Sequence, residues 1–198
     1  MQLHARQLTA GAVVVLLMAA GVWFYRASER TRAETAGRSL SEAQEAFNAE
    51  NLTLAENDLK KVVERYGGTE AGKQAKLLLA QVLFQRGQYQ KGIDEVRPLT
   101  SERDKYLVAT AYSLIAAGYE ETGKFGQAAD YYRKAADNAS NNGTKYTYLA
   151  GAARALTSAG DAAGARKIWS SLAADASNPS AAEARVRLGE LDAKAARS

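Results

Sequence analysis

From residue 34 onward the apolar positions of this chain recur every three or four residues and never alternate. Ala71, Ala75, Leu78, Leu79 and Val82 fall on one face of a helix, and Leu107, Ala111, Leu114, Ile115 and Gly118 repeat the pattern. No stretch shows the β-branched alternation between turn residues that a half-buried strand needs. The pattern predicts an all-α chain. Glycine supplies the punctuation, at Gly67-Gly68 after Tyr66 and then at Gly87, Gly123, Gly143 and Gly160. The chain contains only two prolines, so long helices are permitted.

The punctuation is periodic. Gly87-Gln88-Tyr89-Gln90-Lys91-Gly92-Ile93, Gly123-Lys124-Phe125-Gly126-Gln127-Ala128-Ala129 and Gly160-Asp161-Ala162-Ala163-Gly164-Ala165-Arg166 align on their first glycine, 36 and 37 residues apart. A weaker copy begins at Glu50-Asn51-Leu52, 37 residues before Gly87, with Ala55 in the small-residue position. Periods of this size, with two helices each, predict a stack of α-hairpins, because one hairpin cannot bury its apolar face alone. Residues 180–195 carry Ala184, Leu188 and Leu191 at helical spacing with polar residues between, which predicts a helix closing the open end of the stack.

Residues 8–25 contain no charged side chain. As a helix, these 18 residues reach roughly 27 Å, enough to cross a bilayer core. The run has no polar face and ends in Trp23-Phe24-Tyr25-Arg26, the order of an aromatic belt followed by a cation. A transmembrane anchor is the expectation. Ala19 and Gly21 could also serve a signal-peptide cleavage, although the apolar run continues past them. Arg6 precedes the run and Arg26, Arg30 and Arg32 follow it, so flank charge alone favours a cytoplasmic body.

The third hairpin carries a resemblance to the tetratricopeptide repeat family. Tyr112, Ile115, Ala116 and Tyr119 stand where that family has Trp, Leu, Gly and Tyr on its first helix, and Ala128, Tyr132 and Ala135 match the second helix. Gly92, Val96 and Leu99 hold second-helix places in the preceding hairpin, and Ala165, Trp169 and Leu172 in the last. The family's proline after the second helix is missing in every copy. The expected architecture is a single transmembrane helix followed by a solenoid of about four degenerate repeats and a capping helix. The expected boundaries are a tail at 1–7, an anchor at 8–25, a juxtamembrane segment at 26–35 and a repeat domain at 36–198.

In layout the chain is similar to the ancillary subunit of the bacterial Sec translocon. The likeness rests on Trp23-Phe24-Tyr25-Arg26-Ala27-Ser28 and on the Gly160-Asp161-Ala162-Ala163-Gly164-Ala165-Arg166 core with its flanks. It implies a single-pass inner-membrane protein with a periplasmic body, against the flank count. It further implies a non-enzymatic scaffold whose partners are the translocon and periplasmic chaperones. In such an array the first helices line the concave side. Tyr106 and Tyr146 begin two of them and present large, amphipathic contact area. On the same register Gln81, Phe84, Thr110, Ser113 and Arg154 are expected to face the groove. The alternative is a structural subunit of a large membrane complex, packed through Gly11, Ala12, Ala19, Ala20 and Gly21.

Composition narrows the chemistry. There are no cysteines, which removes disulfides, thiolate metal sites and a cysteine nucleophile. The only histidine is His4, so a catalytic triad or a multi-histidine metal site lacks its parts. No catalytic, cofactor-binding or metal-binding residues are expected. The formal charge is +4, with acids and bases intermixed and no like-charged block, which gives no nucleic-acid footprint. No small-molecule substrate is indicated. Gly67 to Gly72 followed by Lys73 has the gap of a phosphate loop, but residue 74 is Gln and a helix precedes it. The segment is expected to be a turn with Thr69 as N-cap and Gly72 as a weak spot in the next helix.

Overall fold

The computed structural model describes residues 2–175 and 178–196, with side chains from residue 18 onward. Among the described residues there are nine α-helices: α1 (Gln2–Asn48), α2 (Leu52–Tyr66), α3 (Glu70–Gln85), α4 (Tyr89–Val96), α5 (Lys105–Glu121), α6 (Phe125–Asp137), α7 (Asn142–Ser158), α8 (Ala162–Ala174) and α9 (Ala181–Ala195). The end of α1 pairs with α2, and α3/α4, α5/α6 and α7/α8 make three further hairpins. Helix α9 packs on α8 and closes the stack.

The turn inside every hairpin is the same. Glu50, Gly87, Gly123 and Gly160 have φ of 58°, 71°, 72° and 82°. In each, the next amide donates to the carbonyl five residues back: Asn51 to Ala46 at 3.0 Å, Gln88 to Leu83 at 2.8 Å, Lys124 to Tyr119 at 2.9 Å and Asp161 to Leu156 at 2.9 Å. This is a Schellman stop, which needs a left-handed residue and so favours glycine. The first hairpin makes the same stop with a glutamate. The glycine period of the sequence is therefore a period of helix C-termini.

The second helix of each hairpin starts against its partner through a small side chain. Ala55, Ala128 and Ala165 are fully buried. At Gly92 a Cβ would lie 2.4 Å from the Phe84 ring, so any larger residue there forces the ring to move. The interior then divides into three apolar clusters along the stack. One lies under α1–α3 around Leu59 and Leu79, one under α3–α5 around Ile93 and Ile115, and one under α6–α9 around Trp169.

Two of the local expectations change, at Gly143 and at Gly72. Helix α1 runs without interruption through residues 26–35, the expected juxtamembrane segment, into the first hairpin. Gly143 lies in the first turn of α7, where Asn141 caps the helix by accepting from the Thr144 amide at 2.9 Å. Thr69 does cap α3, accepting from the Gly72 amide at 3.1 Å. Gly72 is no weak spot, however: a Cβ there would lie 2.0 Å from the Tyr66 carbonyl oxygen. The helix α4 is short because Pro98, which lacks an amide hydrogen, turns the chain into a 3-10 stretch over Arg97–Ser101.

Among the described residues no helix is long and apolar enough to cross a membrane. The expected anchor at 8–25 lies outside the described side chains up to residue 17. From Met18 to Tyr25 every side chain is exposed, including Trp23 at 72% and Phe24 at 71%.

Candidate partner-binding face

Helices α1, α3 and α5 touch one another in succession, so the first helices of the first three hairpins form one continuous side of the array. The seven residues expected on this side have different fates. Tyr106 is 64% exposed at the start of α5, just after the Asp104 cap, and Gln81 is exposed on α3. Thr110 and Ser113 are half-buried, with hydroxyls donating to the helix carbonyls of Tyr106 at 2.8 Å and Thr110 at 2.9 Å. Phe84 instead packs against the middle core cluster, with its ring 6.0 Å from that of Tyr89. Cβ atoms at Gly92 or Gly118 would collide with it.

Tyr146 and Arg154 are tied inside the molecule. The Tyr146 hydroxyl donates to the Asp175 carboxylate at 2.7 Å, joining the start of α7 to the end of α8. That bond raises the Tyr146 pKa above the ordinary phenol value. Arg154 makes a two-oxygen pair with Glu183 of α9 at 2.9 and 3.0 Å. Beside it, Tyr132 donates to Glu120 at 2.6 Å. Burial, and then the Glu120 carboxylate, hold the Tyr132 hydroxyl well above its usual pKa, while the Arg154 charge pulls the other way. Glu120, Tyr132, Arg154 and Glu183 thus form a polar line across α5, α6, α7 and α9. The sequence placed Arg154 on the groove register without its ion pair, because the partner stands 29 residues away in another helix.

A second constellation was not legible as a group. Tyr112 and Tyr119 of α5 meet Tyr131 of α6 with ring centroids 6.1 and 5.4 Å apart. Lys134 sits 4.6 Å from the Tyr131 ring centre and Lys124 5.6 Å from that of Tyr119. The nearby Tyr119 and Tyr131 hydroxyls push the Arg97 pKa further above its already high ordinary value, with burial opposing. Tyr112 and Tyr119 are visible in sequence as packing residues of the repeat. Nothing local links them to Arg97, which precedes them by a turn and a helix.

Of the expected groove set, Tyr106, Gln81 and Arg154 are exposed, Arg154 as the ion-pair partner of Glu183. Among the described residues no group of three or more His, Asp or Glu side chains could hold a metal ion.

The array has clear structural relatives. A putative kinesin light chain from Podospora anserina with nearly identical TPR-like repeats superposes with a TM-score of 0.63 at 15% identity, covering 78% of this chain and 83% of that one. A tetratricopeptide repeat protein from Parabacteroides merdae gives 0.65 at 14% identity, covering 81% of this chain and 61% of that one. BtubC from P. vanneervenii gives 0.60 at 15%, covering 84% of each. At such identities the likeness is one of fold. No curated protein matches the sequence. Repeat folds of this kind are typically non-enzymatic scaffolds for protein–protein interaction. The family model for the tetratricopeptide repeat-like domain matches residues 2–137, from the apolar run through the third hairpin, and the chain belongs to that family.

Proposed function

We propose that this protein is a membrane-tethered scaffold that holds protein segments against the first-helix side of its repeat array. The observation that carries the tether is the continuity of α1. One helix leads from the uncharged run at 8–25 into the core of the first hairpin, and its apolar side chains from Met18 to Tyr25 have no protein cover. The family match, which begins at residue 2, includes that run and supports reading it as part of the functional unit. Tethering confines the array to the membrane surface and raises its effective concentration near membrane-bound partners. Tyr106 and Gln81 would contact those partners first.

The finer form of this reading is a periplasmic accessory of the Sec translocon in the inner membrane, working with periplasmic chaperones. It rests on layout and on the two sequence stretches named above. Purification from native membranes through a C-terminal tag tests it, with mass spectrometry of partners and of the bait's N-terminus. An intact N-terminus together with Sec components supports the accessory. Crosslinking that recovers no Sec component removes that partner, and an N-terminus near Val22 removes the tether. Sidedness is tested by Ser140→Cys in this cysteine-free chain. Labelling of that cysteine in spheroplasts by a membrane-impermeant maleimide is the expected result, and protection until lysis would put the array in the cytoplasm.

A further inference from the structure

Where α1 leaves the apolar run it does not stand alone. The end of α2 folds back beside it, and the Arg32 guanidinium donates to the Arg65 carbonyl at 3.0 Å. Between the two helices lies an open notch of about 550 Å³ lined by Phe24, Ala27, Ser28, Thr31, Arg32 and Tyr66. Its chemistry is graded along the helix axis. Phe24 is at the end nearest the apolar run, and Arg32 lies about 12 Å further on. In a bilayer whose hydrocarbon core ends near Tyr25, that interval begins at the core edge and runs through the headgroup layer to its outer border.

The donors in the notch suit a phosphodiester. A guanidinium has five N–H donors, and the bond to Arg65 uses one. Among the described residues no carboxylate pairs with Arg32. The Ser28 hydroxyl is exposed, one helical turn before Arg32. Thr31 spends its proton on the Ala27 carbonyl at 3.1 Å, which leaves its oxygen free to accept from a headgroup hydroxyl. Phe24 and Tyr66 provide apolar walls where the glycerol backbone and first acyl carbons would lie.

We infer that this notch binds the headgroup of an anionic phospholipid, with the phosphate on Arg32 and Ser28. The inference rests on the tethered reading above. Its consequence is orientation: a lipid seated between α1 and the end of α2 fixes the turn between α2 and α3 against the membrane surface, and the array projects from there in one direction.

The test uses the full chain reconstituted into vesicles of equimolar phosphatidylcholine and phosphatidylglycerol. A photoreactive benzophenone amino acid replaces Tyr25, an exposed aromatic residue beside the notch that does not line it, and the lipid adducts are read by mass spectrometry. Phosphatidylglycerol adducts should exceed phosphatidylcholine adducts about fivefold, the preference that one basic residue at an anionic surface provides. Arg32→Gln should bring the ratio to parity. Arg30→Gln should leave it unchanged, because residue 30 falls on the far side of the helix at nearly the same height. Thr31→Trp, which fills the notch and keeps Arg32, should also reach parity and covers the case in which Arg32→Gln loosens the hairpin. Parity in the parent protein, or equal loss in Arg30→Gln and Arg32→Gln, overturns the site while leaving the tether standing. The same probe at Val15 separates the two readings. Without lipid adducts there the tether fails, and the headgroup site falls with it.

Discussion

The two ends of the array are finished in opposite ways. At the carboxyl end α9 covers the last hairpin with Ala181, Ala184 and Leu191 and turns its charged side outward. Arg154–Glu183 and Arg166–Asp192 pin it to α7 and α8. The buried Asn178 donates to the Leu172 carbonyl at 2.9 Å and accepts from the Ser180 amide at 2.8 Å, which sets the entry to α9. At the amino end the first helix is not cut to the length of its hairpin. It continues past the core as a rod whose last described apolar side chains are bare. A solenoid has two open ends and must do something with both. Here one end is sealed by a polar-faced helix of the chain itself, and the other carries a helical extension whose apolar side chains from Met18 to Tyr25 are exposed.

The contrast predicts unequal responses to damage at the two ends. Deleting residues 176–198 should have the largest effect, because it exposes Trp169, Leu172 and their neighbours at once. Loss of a cooperative thermal transition by circular dichroism is expected, and retention of the parent melting curve would show that α9 is dispensable. Next comes a matched pair of tryptophans. Trp169 is fully buried, and Trp169→Ala should cost about 3–5 kcal/mol in urea denaturation. Trp23→Ala should leave the denaturation midpoint where it was, since nothing packs on that ring. Equal losses would break the comparison.

Smaller effects sharpen the amino end. Gly72→Ala should destabilise by about 1–3 kcal/mol, because its Cβ meets backbone and not a movable side chain. Glu50→Gly should raise stability by about 1 kcal/mol, relieving the left-handed strain that the other three hairpins avoid with glycine. Smallest is a pH effect at Glu56, a buried carboxylate that links α2 to the end of α3. Its pKa is held below the usual 4.5, first by the hydrogen bond from Lys60 and further by the Lys60 and Arg86 charges, with burial opposing. A depressed folded-state pKa contributes stability that is fully present above the unfolded value and is lost as pH falls through the folded one. Parent and Glu56→Gln melting temperatures should therefore differ at neutral pH and converge below about pH 4.

Particular residues show how much of this could be read from the chain alone. The hairpin turns were legible because a left-handed C-cap leaves a glycine at a fixed place in each repeat. Even the exception at Glu50 was placed by its spacing. The small-residue positions and the closing helix were legible for the same reason, since close approach and amphipathic burial leave marks on local composition. Phe84 and Arg154 have partners that the groove-facing register does not reveal: Gly92 crowds the ring, and Glu183 pairs with a guanidinium that stays 45% exposed. Tyr146 is held in the same manner by Asp175.

The sequence by itself determined the helices, their pairing into hairpins, the period of the stack and the uncharged run at its start. These follow from short-range rules in which residues a few positions apart decide each other's conformation. Only the tertiary structure decided which polar side chains remain free, that α1 passes unbroken from the apolar run into the core, and that the end of α2 folds back to make a notch beside Arg32. Those outcomes depend on pairs some 30 residues apart, such as Arg32 with Arg65 and Arg154 with Glu183. They exist only once the packing of one hairpin on the next has fixed the distance between them.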